Sequence, residues 1–139
     1  FMIIRKKKRN ISNYKMKTDI RNRKDIELLV DTFYDKIKTD AVIGFLFTEI
    51  AQVNWETHLP RMYDFWENIL FYTGNYNGSP MQVHKELHSK CPMKPEHFEH
   101  WVIVFTTTVD QLFVGEKAIE IKERALNIAQ VIQYKTLGN

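Results

Sequence analysis

The sequence predicts an all-α domain, and three observations support this fold class. Apolar residues recur at intervals of three and four along five segments, the spacing that puts them on one face of an α-helix. Several of these segments begin after a residue that caps helix N-termini. We find no convincing strand and no internal repeat. The 139 residues, 44% of them hydrophobic, are enough for one packed domain with a single core.

The basic residues are concentrated at the start of the chain. The formal net charge is +3, but residues 1–15 carry six basic and no acidic residues, whereas the rest carries 14 basic and 17 acidic residues. We interpret residues 1–15 as a disordered arm or leader, and residues 16–139 as the domain. A basic arm of this kind can also bind nucleic acid or an acidic surface, but we favour the disordered tail and expect no nucleic-acid partner.

The apolar stretch Phe1 to Ile4 is too short for a signal peptide or a membrane span, so we expect a cytoplasmic protein without a membrane partner. Cys91 is the only cysteine, which excludes an internal disulfide and a zinc site built from several cysteines.

The first two predicted helices lie before residue 50. The first runs from about Asp19 to Lys38, with an apolar stripe from Ile26 to Ile37. Thr39-Asp40 is a cap signal for a second, short helix. This short helix carries Val42, Ile43, Phe45, Leu46 and Phe47.

The third predicted helix begins after Asn54, a good N-cap, and is rich in aromatic residues. Pro60 removes a backbone donor there and predicts a bend close to His58. Gly74 is expected to end this helix. A loop then leads to Ser79-Pro80, a strong start signal for a short helix from about Met81 to Lys90.

Pro95 starts the next predicted helix. Its stretch Val102 to Val109 is rich in β-branched residues, which makes a strand a competitor, but the length and the spacing favour a helix. Gly115 marks the break before the last helix, whose apolar face runs from Ala118 to Ile132.

Two of the five histidines, His84 and His88, are four residues apart and share a helix face. Two histidines four residues apart on a helix also occur in the zinc-binding motif of metalloproteases. In this chain Glu86 stands one place too late to act as the base beside a metal-bound water, which argues against a zinc protease. His97 and His100 are expected to be surface or capping residues.

His84 has a stronger functional case, because it lies about one turn into a helix with a fixed start. A haem needs one neutral imidazole, an apolar site for the porphyrin and polar groups on the open face. The aromatic-rich stretch from Phe45 to Tyr76, with His58 and Trp101, supplies such surroundings. From the residues alone, a half-buried histidine beside an aromatic core remains the alternative.

Several segments together resemble the truncated haemoglobins, specifically their third group. The resemblance extends from about Ile26 to Val131, and it depends on the order and spacing of the segments rather than on any single one. In chain order they are Phe33-Tyr34-Asp35-Lys36, Gly44-Phe45-Leu46-Phe47, Trp55-Glu56-Thr57-His58, Phe65-Trp66, the stretch from Gly74 to Pro80 that leads to His84, and His97-Phe98 followed by Trp101.

This resemblance implies a shortened globin fold, with two helices stacked over two around a haem b. His84 matches the proximal ligand of the iron and is therefore the expected metal ligand. Tyr34 and Trp101 match the polar residues that meet a diatomic ligand on the distal side. His58 matches a distal histidine that gates access.

Other matching positions are expected to contact the haem. Phe47 matches a phenylalanine packed on the ring, and Trp66 a tryptophan at its edge. Met62 stands where a branched aliphatic residue is usual, and its flexibility loosens the distal side. Arg61 is expected either to pair with a propionate or to be a solvated charge. The full expected set is Phe47, Arg61, Met62, Phe65, Trp66, His84 and Phe98.

Three functions remain open from the sequence. The first is a haem protein that binds O2, NO, CO or cyanide and holds O2 for nitric oxide or peroxide chemistry, served by an electron-donor reductase. The second is a non-enzymatic O2 or redox sensor or carrier. The third is a helical interaction module without haem, in which the aromatic residues only form the core.

Overall fold

The computed structural model describes residues 16–138, and the predicted all-α fold is confirmed. Residues 1–15, interpreted above as an arm or leader, lie outside the described part. Within residues 16–138 the only extended pairing is an isolated bridge between Thr18 and Phe113. In chain order, the elements are α1 (Arg23–Lys38), a π-helix (Leu46–Ile50), α2 (Trp55–Phe71), α3 (Pro80–Lys90), α4 (Pro95–Leu112) and α5 (Glu116–Leu137).

Four of the helices form two stacked pairs. Helix α1 packs on α2, and α4 packs on α5, while α1 also contacts α4 and α2 also contacts α5. Side chains with essentially no exposure fill the space between the pairs, among them Phe33, Leu70, Phe105 and Ile121. The result is the expected two-over-two arrangement around one core.

Helix α3 stands outside this sandwich. It packs on α5 and on the π-helix, whereas no Cα atom of α3 lies within 8 Å of a Cα atom of α2, although only the loop Tyr72–Ser79 joins the two helices. Helices α2 and α3 are therefore held apart, with α5 and the π-helix beside them.

Local signals fix where most helices begin. The side chains of Asn22, Asn54 and Ser79 accept hydrogen bonds from backbone N–H groups in the first turns of α1, α2 and α3. Asp40 accepts from the N–H groups of Val42 and Ile43, at 2.8 and 3.0 Å, as its predicted capping position implies. The start signals at Asn54, Ser79-Pro80 and Pro95 are thus confirmed.

Two predicted features of the helices differ in the structure, while the helix favoured over a strand for Val102–Val109 is confirmed. Helix α2 ends at Phe71 rather than at Gly74, because Tyr72 itself adopts the left-handed conformation (φ 57°) that closes a helix. The second, short helix is a π-helix over residues 46–50. The Val102–Val109 stretch lies within α4, so the competing strand is excluded.

The predicted start of the first helix at Asp19 is also wrong. Helix α1 begins four residues later, at Arg23, because Asn22 is its N-cap and Asp19 caps another helix. The Asp19 carboxylate accepts hydrogen bonds from the N–H groups of Lys117 and Ala118, both at 2.8 Å, and so caps α5. Gly115 permits this approach, since a Cβ there would overlap the Asp19 side chain.

Asp19→Ala is expected to lower the free energy of unfolding by about 1–2 kcal/mol, the usual cost of losing an N-terminal cap. Burial opposes ionisation of Asp19, but the N–H groups of Lys117, Ala118 and Ile20 outweigh it and hold its pKa below the ordinary value. A carboxyl whose folded pKa is depressed contributes stability above its unfolded pKa, and that contribution disappears as the pH falls through the folded value.

Urea unfolding at neutral pH and below pH 3 measures this effect. The destabilisation should be present at neutral pH and shrink in acid. Asp35→Ala is the control, because the Asp35 side chain is 78% exposed and caps no helix end. An Asp19→Ala variant as stable as the wild type at neutral pH would contradict the capping role.

Ion pairs join α1, which carries Tyr34, to α2, which carries His58. The Arg23 guanidinium contacts the carboxylates of Asp64 and Glu67 at 2.9 and 2.8 Å. These contacts link the helix that carries Tyr34 to the helix that carries His58. None of the helices in residues 16–138 combines the length and the apolar character needed to cross a membrane.

Candidate functional site

The imidazole of His84 is held in one tautomer by its own helix. Its Nδ1 lies 2.6 Å from the carbonyl oxygen of Pro80, one turn earlier in α3. Since a carbonyl only accepts, Nδ1 must carry the proton and donate it, which leaves the lone pair on Nε2 free. Burial lowers the pKa of His84, and the Pro80 hydrogen bond offsets this only in part, so the ring is neutral at pH 7. A neutral imidazole oriented through Nδ1 is the form that binds a metal ion.

His58, on α2, has a buried ring nitrogen without a partner. Its Nε2 makes no hydrogen bond to any described residue. Burial, and secondly the charge of Arg61, lower the pKa of His58, so this ring is also neutral. A buried polar atom without a partner is costly in a closed core, and it is common where a ligand supplies the partner.

Tyr34 lies beside His58, with ring centroids 5.1 Å apart. Its surroundings are aromatic, since Phe33, Trp55 and Phe47 stand 4.9, 5.4 and 5.9 Å from its ring. Only 5% of the residue is exposed. Burial strongly raises the pKa of the Tyr34 phenol, so its O–H stays protonated and available as a donor.

Trp101 belongs to a stack of three rings inside the sandwich. Phe105 lies 5.3 Å from Trp101 at an interplanar angle of 8°, and 4.6 Å from Trp66 at 25°. The ring of Phe33 meets Trp101 edge-on at 5.5 Å. Phe33 therefore connects the stack to Tyr34, and the predicted distal residues belong to one aromatic cluster.

The other predicted haem-contacting residues lie at the border of this cluster. Phe65 packs edge-on against Trp66 at 5.0 Å, and Met62 is half-buried against the same core. Phe98 is buried at the start of α4. Arg61 is exposed, yet its charge acts on both His58 and Tyr76.

The structure thus brings Tyr34, His58, Phe47, Trp66 and Trp101 into one connected set of ring contacts, whereas His84 lies on the separate helix α3. His58 and His84 thus lie on two helices whose Cα atoms do not come within 8 Å of each other. The donor set fits a haem: one neutral imidazole with a free Nε2, aromatic walls, and an unpartnered polar nitrogen on the opposite helix.

The remaining histidines have structural tasks. His88 accepts a hydrogen bond from the Met93 N–H at 2.9 Å, and His97 accepts one from the Lys94 N–H at 3.1 Å. The capping prediction for His97 is confirmed. His100 is half-buried and pairs with Asp40, at 2.7 Å between Nε2 and Oδ2. This contact connects α4 to the turn that precedes the π-helix.

Two features of the site were missed by the sequence reasoning. Tyr76 turns inward from the loop and meets Phe65, with ring centroids 5.0 Å apart; an aromatic residue among Asn and Gly was the available signal. An apolar groove of about 380 Å³ also opens between α2, α3 and α5. It is lined by Phe65, Ile69, Met81, Ile128 and Ile132, among others, and no local pattern marks it because three distant segments form it.

The fold and site are those of the globin class in its shortened form. They combine two stacked helix pairs, a short helix packed beside them and a histidine with a free Nε2. Residues 19–134 match the family model described as bacterial-like globin, and the chain belongs to this family. It is 30% identical, over 121 residues, to the group 3 truncated hemoglobin of Campylobacter jejuni. The matched region covers 85% of this chain and 93% of that protein.

The fold comparison agrees. The crystal structure of the group III truncated hemoglobin from Campylobacter jejuni superimposes with a TM-score of 0.76 at 29% identity, covering 87% of this chain and 95% of that one. The predicted resemblance to group III truncated haemoglobins is therefore confirmed. Globins bind haem and, through it, small gaseous ligands, and this chain shares that general function.

Proposed function

We propose that this protein binds haem b through His84 and holds O2 or a related diatomic ligand against Tyr34 and Trp101. The observation that carries the proposal is the Nδ1 contact of His84 with the Pro80 carbonyl, because it leaves Nε2 as the free, neutral donor atom. When bound, haem supplies an iron that coordinates diatomic ligands and exchanges electrons with them. The protein residues determine how long such a ligand stays and what can reach it.

Tyr34 and Trp101 are proposed to stabilise the ligand. The Tyr34 phenol stays protonated because it is buried, and an indole N–H is always a donor. A hydrogen bond from a donor to a charged acceptor contributes about 1.5–3 kcal/mol. Two such bonds to a ligand that has gained negative charge would slow its release roughly a hundredfold or more.

His58 is proposed to gate the ligand site from α2. Its Nε2 is buried without a partner among the described residues, and its ring adjoins Tyr34. A small rotation of the imidazole would bring Nε2 into hydrogen-bonding contact with an incoming ligand. Being neutral, the ring can either donate or accept.

The remaining predicted residues are proposed to contact the porphyrin itself. The exposed guanidinium of Arg61, one turn after His58, would pair with a propionate at the open edge. The macrocycle would pack against Phe47, Met62, Phe65, Trp66 and Phe98.

Strong donors around the ligand favour retention of O2 over its delivery. We therefore propose that the protein serves either the conversion of nitric oxide with O2 or, with a peroxide as oxidant, peroxide-type oxidation; a bound haem would supply this chemistry, and a reductase would return it to the reduced state. Mixing the oxygenated protein with nitric oxide in a stopped-flow instrument tests the first reaction, which should yield nitrate within the mixing time or shortly after. Slow O2 release with negligible nitric oxide turnover would instead support the sensor or carrier function.

Haem binding itself is tested by an optical spectrum of the reduced protein, with and without carbon monoxide. The purified protein should be red, show a Soret band, and change its spectrum when carbon monoxide is added. A colourless protein that takes up no added haemin would refute the proposal and leave the helical interaction module as the alternative.

A further inference from the structure

The loop between α2 and α3 has one residue that points inward. Of the eight residues Tyr72–Ser79, seven are exposed and Tyr76 alone is half-buried. The loop leads directly to Ser79, the N-cap of α3, and to Pro80, whose carbonyl holds the His84 imidazole. The position of Tyr76 is thus connected, over a few residues, to the orientation of the proposed iron ligand.

Tyr76 makes contacts on both sides of the loop. Its ring meets the ring of Phe65 on α2 edge-on, at a centroid distance of 5.0 Å and an interplanar angle of 79°. Its hydroxyl lies against the Cα of Gly78, so close that a Cβ on Gly78 would overlap the hydroxyl and the ring carbon that carries it. Gly78 directly precedes the Ser79 cap.

This contact matters because no Cα atom of α3 lies within 8 Å of a Cα atom of α2. Helix α3 packs on α5 and the π-helix, and Tyr76 links the Phe65 ring of α2 to the residues just before the first turn of α3. The charge of Arg61 acts on Tyr76, and Tyr76 in turn contributes, after burial, to the raised pKa of Tyr34.

We propose that Tyr76 is a positioning residue for His84. Its ring, held between Phe65 and Gly78, fixes the start of α3 relative to α2, and so sets the height and tilt of the His84 imidazole. This inference rests on the proposed function of His84 as the iron ligand. Without the ring, residues 78–80 are free to shift, and the Pro80 carbonyl that orients Nδ1 shifts with them.

The test compares Tyr76→Ala, Tyr76→Phe and Gly78→Ala in the haem-loaded protein. Resonance Raman of the reduced, ligand-free form reports the iron–histidine stretching band, and transfer to an excess of another apo-globin reports the rate of haem loss. Tyr76→Ala and Gly78→Ala should shift or broaden the band and speed haem loss several-fold. Tyr76→Phe keeps the ring and should stay close to the wild type.

Two comparisons separate positioning from general destabilisation. Tyr72→Ala, which removes a 73% exposed tyrosine from the same loop, should leave the band unchanged. Adding Gly78→Ala to Tyr76→Ala should have no further effect, because the overlapping ring is already gone; residues that act through one contact are not additive.

An unchanged band in Tyr76→Ala, whatever its thermal stability, would overturn the inference, and so would a Tyr76→Phe variant as impaired as Tyr76→Ala. Failure of the proposed function is distinguishable, since the wild type would then show no Soret band, or His84→Ala would keep the wild-type spectrum.

Discussion

His84→Ala is expected to lose the axial bond to the haem iron and, with it, most of the affinity for haem. The reason is geometric: His84 Nδ1 is occupied by the Pro80 carbonyl, so Nε2 is the atom available to the iron, and alanine offers no replacement. Removing a metal ligand outright should cost more than the 10- to 100-fold typical of losing a group that only orients one.

Haem titration followed at the Soret band measures this loss. Free imidazole should restore the five-coordinate spectrum in part, since it can occupy the space of the missing ring. His88→Ala is the matched control: it removes a histidine from the same helix whose Nδ1 only accepts from the Met93 N–H. Its spectrum should match that of the wild type. An unchanged spectrum in His84→Ala would show that another residue binds the iron.

Tyr34→Phe is expected to raise the dissociation rate of O2 at least several-fold, and about tenfold for each 1.4 kcal/mol that the lost hydrogen bond contributed. The phenylalanine ring preserves the packing against Phe33, Phe47 and Trp55, so the change removes a donor and little else. Because burial keeps the phenol protonated, the difference between variant and wild type should not vary with pH near neutrality.

Stopped-flow displacement of O2 by carbon monoxide measures the rate. Tyr63→Phe is a suitable control, because Tyr63 also lies in the aromatic region but donates its hydroxyl to Asp31. It should leave O2 release unchanged. Equal rates in Tyr34→Phe and wild type would mean that the phenol does not contact the ligand.

Most of the fold was predictable because its signals are local. A cap such as Asn54 or Ser79 acts on N–H groups two or three residues away, and an apolar stripe needs only its own helix. The start of α1 has such a local cap as well, Asn22, but the role of Asp19 could not be predicted in this way. Asp19 caps α5, 98 residues further along, and no local pattern distinguishes that use from the capping of its own helix.

The site was predictable to a different extent. The resemblance to group III truncated haemoglobins named Tyr34, Trp101 and His84, whereas the residues alone favoured His84 over His88 only by its place one turn into a helix with a fixed start. The structure separates these two histidines by their Nδ1 contacts, with Pro80 and with Met93.

The gap between α2 and α3 and the inward position of Tyr76 depend on contacts among several elements, and a single sequence does not encode them locally.

A crystal structure of the haem-loaded protein tests the central claim most directly, through one distance. We predict that Nε2 of His84 lies within bonding distance of the iron, with Tyr34 and Trp101 on the opposite face of the porphyrin. A structure in which another side chain occupies that axial position, or in which the haem lies elsewhere than between α2 and α3, would contradict the account.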